Sequence, residues 1–211
     1  MPLYTFRDVK QGFEVTIFFI HIPKCGGTTV ERFFEHLNAD TFLAPKDYMK
    51  VRQYLRIPPA HLHISLIENL FLLEKIYSFA IVRNPYLRML SDYHWSKTKT
   101  NNTEYFQKMS FEDFCTDSIR NFEINNTYLA NHITPQHKFI SKNVNKVFKL
   151  EDGLENALLE VFKDNEISIS REFNLPKINS SPRHEFAIGQ KTKDIIYDFY
   201  KEDFEVFGYP R

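Results

Sequence analysis

The stretch Phe13-Glu-Val-Thr-Ile-Phe-Phe-Ile-His-Ile-Pro-Lys-Cys-Gly-Gly-Thr-Thr-Val-Glu-Arg-Phe-Phe-Glu-His-Leu37 changes its hydrophobic pattern once, around Pro23. Up to Ile22 it is almost continuously apolar and rich in β-branched and aromatic side chains, which predicts a central strand covered on both faces. From Thr28 onward Val30, Phe33, Phe34 and Leu37 recur at helical spacing, while Glu31, Arg32, Glu35 and His36 fill the other face. The unit is strand, glycine turn, helix. Two glycines at such a turn let the backbone approach an anion, and the helix N-terminus adds free amide hydrogens and a favourable dipole. Lys24 contributes a point charge, and the hydroxyls of Thr28 and Thr29 can donate to anionic oxygens. The nucleotide-kinase loop GxxxxGK[ST] is absent, because the lysine here precedes the glycines.

Working outward, Tyr77 to Val82 is a second apolar run, closed by Arg83-Asn-Pro85, and Tyr86 to Trp95 reads as a helix with proline in its first turn. Arg83 then leaves a strand end, Ser91 lies two turns into the helix, and Arg88 reads as a structural or solvated residue. Pro45 to Arg56 is expected to be helical, with Pro58-Pro59 ending it. His61 to Leu66 alternates like a short strand, on which His61 and His63 would face the same cleft. Lys97 to Asn102 reads as a polar loop, and Ser110 as the cap of a helix running through Cys115. Further along, Lys146 to Leu150 reads as a strand, Leu154 to Phe162 as a helix, Asn174 to Arg183 as a loop and Lys191 to Phe207 as a closing helix. Strands alternating with helices predict an α/β fold, P-loop-like and three-layered. Its central, mainly parallel sheet is flanked by helices in a single domain over 1–211, with ligands at the carboxyl ends of the strands.

Lys plus Arg and Asp plus Glu both total 27 of 211 residues, so there is no global basic field and no nucleic-acid partner is expected. Any anion site has to be built locally. The longest apolar stretch is too short to span a bilayer and the start of the chain is unlike a signal peptide. These features predict a soluble, cytoplasmic protein, with the Golgi lumen as the alternative if an N-terminal anchor has been removed. With only Cys25 and Cys115, and Cys25 inside the glycine loop, no structural disulfide is expected. His61 and His63 have no third ligand at a suitable spacing, so no metal site is expected either.

The segment HIPKCGGTT (His21–Thr29) resembles the 5′-phosphosulfate loop of sulfotransferases that use 3′-phosphoadenosine 5′-phosphosulfate (PAPS). VRNPYLRMLSDY (Val82–Tyr93) resembles their 3′-phosphate motif, in the same order and at a similar separation. The likeness is strongest to carbohydrate sulfotransferases of the heparan sulfate 2-O type and their bacterial relatives. It implies that Lys24, Cys25, Gly26, Gly27, Thr28 and Thr29 hold the 5′ end of the nucleotide, and Arg83 and Ser91 the 3′-phosphate. It also implies that His63 is the catalytic base and His61 a substrate or orienting contact; Glu68 is the reserve, since other sulfotransferases use a glutamate. Asn131-His-Ile-Thr-Pro-Gln136 resembles a family segment whose polar side chains, here Asn131 and Gln136, face the acceptor or the nucleotide. Asn179-Ser-Ser-Pro-Arg183 resembles a late loop in which Ser180 and Arg183 touch the nucleotide. The expected reaction is metal-free transfer of the sulfuryl group from PAPS to a carbohydrate or other hydroxyl acceptor. It leaves 3′-phosphoadenosine 5′-phosphate (PAP), and Lys24 stabilises charge on the leaving oxygen. Two alternatives stand beside it: a P-loop nucleotide kinase-like phosphotransferase, which needs a Walker lysine and a magnesium carboxylate, and a non-catalytic nucleotide- or glycan-binding module.

Overall fold

The computed structural model describes residues 1–8, 13–99, 103–168 and 187–211. The stretch that opens the sequence analysis forms strand β2 (Phe13–Ile20) and helix α1 (Gly27–His36). Ile17, Phe18, Phe19 and Ile20 are all buried, as a strand covered on both faces requires. Helix α1 turns Val30, Phe33 and Phe34 inward, and the Phe34 ring stacks on Tyr4 at 4.3 Å between centroids.

Strands β1 (Leu3–Asp8), β3 (Asp40–Phe42), β4 (Tyr77–Val82) and β5 (Lys146–Lys149) complete a five-stranded sheet in the order β3-β1-β2-β4-β5. The sheet is mixed and not mainly parallel. β2, β4 and β5 run parallel, whereas β1 pairs antiparallel with both β2 and β3. The antiparallel half follows from chain length, because only residues 9–12 separate β1 from β2, far fewer than a parallel crossover needs. In the parallel half Ile20 lies opposite Ala80, so the chain leaves β2 and β4 side by side at their carboxyl ends. That adjacency brings His21 to Lys24 beside Arg83.

The helices are α2 (Pro45–Tyr48), α3 (Ile64–Leu70), α4 (Pro85–Lys99), α5 (Thr103–Gln107), α6 (Phe111–Ile124), α7 (Leu154–Asp164) and α8 (Gln190–Phe207). Buried residues of the sheet, α1, α3 and α7 make one apolar cluster; those of α4, α5, α6 and α8 make a second, with Phe114, Ile196, Tyr200 and Phe204 at its centre. Ser110 caps α6 as expected, its hydroxyl accepting from the Asp113 amide at 3.1 Å.

Three local expectations are corrected. Pro45 to Arg56 is not one helix but the four-residue α2 followed by a 3-10 turn at Arg52–Tyr54. Neither piece buries a side chain, so no apolar face holds a longer helix. Lys97 to Lys99 extends α4 instead of forming a loop; the Lys97 ammonium reaches the Tyr93 hydroxyl at 2.6 Å, and the Thr98 hydroxyl donates to the His94 carbonyl. His61 to Leu66 is not a strand. Pro59 opens a 3-10 turn, Pro59–His61, and His63 stands extended as the N-terminal flank of α3, whose Ile64 and Ile67 enter the core.

Candidate active site

The glycine loop owes its shape to three local demands. Gly26 has φ 84°, a left-handed conformation that side chains disfavour. Gly27 lies under the His21 imidazole, so close that a Cβ there would sit 2.3 Å from Nε2. Lys24 is itself left-handed at φ 67°. Its ammonium stands 5.2 Å from the centre of the Trp95 ring, and burial lowers its pKa while nearby Asp92 works to raise it. Thr28 is exposed and Thr29 half-buried at the start of α1, where the Thr29 amide donates to the Gly26 carbonyl at 3.0 Å. Cys25 turns inward and is buried, and burial pushes its thiol up to about 12, so it is a packing group and not a nucleophile.

The second motif lies against the first. The Arg83 guanidinium donates from Nη1 to the Lys24 carbonyl at 3.2 Å. Asn84 accepts the Tyr86 amide on Oδ1 at 2.9 Å and so starts α4, which carries Ser91, half-buried, two turns from Arg83. Arg88 is structural: it is 2% exposed, donating from Nε to the Pro23 carbonyl at 3.1 Å and from Nη2 to the carbonyls of His132 and Thr134 at 2.6 and 2.9 Å.

Gln136 was expected to face substrate, but its side chain is wholly buried and spent within the protein. Oε1 accepts from the Arg83 amide at 2.8 Å and from the Cys25 thiol at 3.2 Å, and Nε2 donates to the Arg83 carbonyl at 2.8 Å. The Asp203 carboxylate of α8, fully buried, accepts from the Gln136 and His137 amides. One carboxamide thus joins the glycine loop, the strand end at Arg83 and the C-terminal helix. Asn131 is also buried, at 2% exposed, its Nδ2 donating to the His61 carbonyl at 2.8 Å, so it does not face an open cleft. Glu68 accepts from the Ser141 hydroxyl and from Nδ2 of Asn143, which leaves it bracing α3. Ser180 and Arg183 lie outside the described residues.

His61 and His63 part company. His63 places its ring 5.4 Å from Phe139, and burial, together with Lys138, lowers its pKa. His61 sits instead in a row of three imidazoles, its centroid 5.1 Å from both His21 and His132. Sequence reasoning identified neither neighbour as a site residue. His21 Nδ1 meets the Glu31 carboxylate at 2.6 Å, and His132 Nδ1 meets Asp92 at 2.6 Å, with the Trp95 ring 4.6 Å from His132. His61 Nδ1 meets the Ala130 carbonyl at 3.1 Å. A carbonyl can only accept, so Nδ1 carries the proton and the neutral ring keeps its lone pair on Nε2. Burial first, and then the charges of His132, His21 and the Met1 amino group, hold His61 well below its ordinary pKa of 6.5. Burial works to raise the Asp92 carboxyl, but His132, Lys24 and Arg88 outweigh it, so Asp92 stays ionised. A cleft of about 180 Å³ opens beside the row, lined by His21, Thr28, Glu31, Tyr48, Arg52 and His61 among others. A neutral imidazole with a fixed lone pair, next to a cationic anion cradle, is equipped to take a proton while negative charge leaves towards the lysine.

Among the described residues no group of three or more His, Cys, Asp or Glu side chains is arranged to hold a metal ion, and no helix is long and apolar enough to cross a membrane. Residues 13–210 match the model of a family described as the sulfotransferase family. Neither the curated proteins nor the solved structures gave a match.

Proposed function

Since the chain belongs to the sulfotransferase family and therefore falls among enzymes of sulfuryl transfer, we propose that its donor is PAPS and its acceptor a hydroxyl group, carried by a carbohydrate. The observation that carries this reading is the direct contact of two anion grips, the Arg83 guanidinium bonding to the Lys24 carbonyl at the ends of adjacent parallel strands. A nucleotide with phosphate-type groups at both 3′ and 5′ positions needs two such grips held at a fixed separation. Lys24, the amides of Gly26 to Thr28 and the hydroxyls of Thr28 and Thr29 serve the 5′ end; Arg83 and Ser91 serve the 3′-phosphate.

PAPS supplies an activated sulfuryl group to the site. Lys24 stabilises the charge that grows on the departing oxygen, and its partial burial strengthens that interaction. For the proton, His61 is favoured over His63. It lines the cleft beside Thr28, its Nε2 has no hydrogen-bond partner among the described residues, and its low pKa keeps it neutral at pH 7. The cleft next to it gives an acceptor a way in.

The test is PAP release from PAPS with desulfated heparin as acceptor, for the wild type and for Lys24→Ala and His61→Gln. Both variants should lose turnover by on the order of 100-fold or more while still binding PAP. A Lys24→Ala enzyme with unchanged turnover contradicts the assignment of Lys24, and full activity in His61→Gln returns the base to His63.

A further inference from the structure

Among the described residues, 129 to 131 form the most unusual piece of backbone. Leu129 (φ 49°, ψ 38°), Ala130 (φ 54°, ψ 46°) and Asn131 (φ 69°) are three consecutive non-glycine residues in the left-handed region. Left-handed residues other than glycine normally occur singly, because the Cβ crowds the backbone. Such strain persists only where the surroundings over-determine it, and it concentrates at functional sites. A second cost falls on the same turn, since the side-chain oxygen Oδ1 of Asn131 is buried with no hydrogen-bond partner among the described residues.

Two bonds run from this turn to one residue. The Ala130 carbonyl accepts from His61 Nδ1 at 3.1 Å, and Asn131 Nδ2 donates to the His61 carbonyl at 2.8 Å. The turn thereby grips the ring and the main chain of His61 together. Its far side is anchored as well: the next carbonyl, that of His132, accepts from the buried Arg88 guanidinium, which also holds the Pro23 carbonyl of the glycine loop. A relaxed turn would direct the Ala130 carbonyl elsewhere, and Nδ1 of His61 would lose the acceptor that keeps its proton there.

We propose that the left-handed turn at Leu129–Asn131 is a clamp that sets the tautomer of His61, with Asn131 as its positioning residue. The inference builds on the reading of His61 as the proton acceptor, for which a lone pair on Nε2 is required. It assigns Asn131 a task within the protein in place of contact with the acceptor.

The experiment uses nitrogen-15-labelled histidine in the full chain, with the His61 resonances identified by their loss in His61→Gln, and PAP titration by calorimetry on the same samples. In the wild type His61 should carry its proton on Nδ1. Asn131→Gly tolerates the left-handed backbone but loses the bond to His61, and Asn131→Asp keeps the shape but cannot donate. Both should shift His61 to a mixture of tautomers, while PAP affinity stays within about twofold, since neither substitution removes the His132 carbonyl that Arg88 holds together with the glycine loop. A wild-type His61 protonated on Nε2, or an unchanged tautomer in both variants, overturns the clamp. So does loss of PAP affinity together with the tautomer, which would mark the turn as general scaffolding. Failure of the wild type to bind PAP would instead count against the nucleotide reading, and the tautomer signal reports independently of it.

Discussion

Gly27 is fixed by its neighbour more than by its own backbone. The His21 ring that covers it is tied through Nδ1 to Glu31, so an added methyl group 2.3 Å from Nε2 finds nothing that can withdraw cheaply. Gly27→Ala should cost about 1–3 kcal/mol in chemical denaturation, and combination with His21→Ala should recover part of it; a wild-type midpoint for the single variant would refute the packing account. His61 predicts a pH dependence whose sign follows from its burial. Its folded pKa lies below the ordinary 6.5, so below that pH the unfolded chain binds a proton that the folded chain refuses. Thermal stability should therefore be level above pH 7 and fall as the pH drops through 6.5 towards the folded pKa. His61→Gln should flatten that slope, and an unchanged slope would show that other groups govern it. None of this could be read from the residues alone. The pairs His21 with Glu31 and His132 with Asp92 join positions 10 and 40 residues apart, and only the tertiary fold brings them together.

Elements with an unbroken hydrophobic period were legible in the sequence. α1, α4, α7 and α8 each present an apolar stripe, and β2 and β4 are short runs buried on both faces, so period and burial agree. β1 escaped notice because polar and apolar residues mix along it, and β3 because it has three residues. The alternation at His61 to Leu66 misled because its polar members flank a helix start and do not line a strand face. The glycine loop and Arg83 were visible as candidate ligands, yet the carboxamide that joins them was taken for a substrate contact. Gln136→Leu keeps the volume and removes four hydrogen bonds, stranding the Arg83 amide and carbonyl. It should lower stability by about 1–3 kcal/mol and weaken PAP binding, both measurable on one sample by denaturation and calorimetry. Unaltered PAP affinity would mean that the two grips hold their spacing without it.

Across the whole molecule, the candidate site follows from how the strands pair. The antiparallel edge made by β1 and β3 closes one side, and the parallel pairing of β2 with β4 sets two chain exits next to each other. Each exit supplies a cation-bearing motif, and the segment from His132 to Gln136 fastens both to the helical cluster through Arg88 and Asp203. On the reading proposed above, a site of that design favours a ligand with two separated anionic ends over one with a single end. The most direct measurement is calorimetric titration of the wild type and of Arg83→Ala with PAP and with 5′-AMP. The wild type should prefer PAP by about 10- to 100-fold, the worth of a charge-assisted contact to the 3′-phosphate, and Arg83→Ala should lose most of that preference. Equal affinity of the wild type for the two nucleotides would contradict the two-ended site.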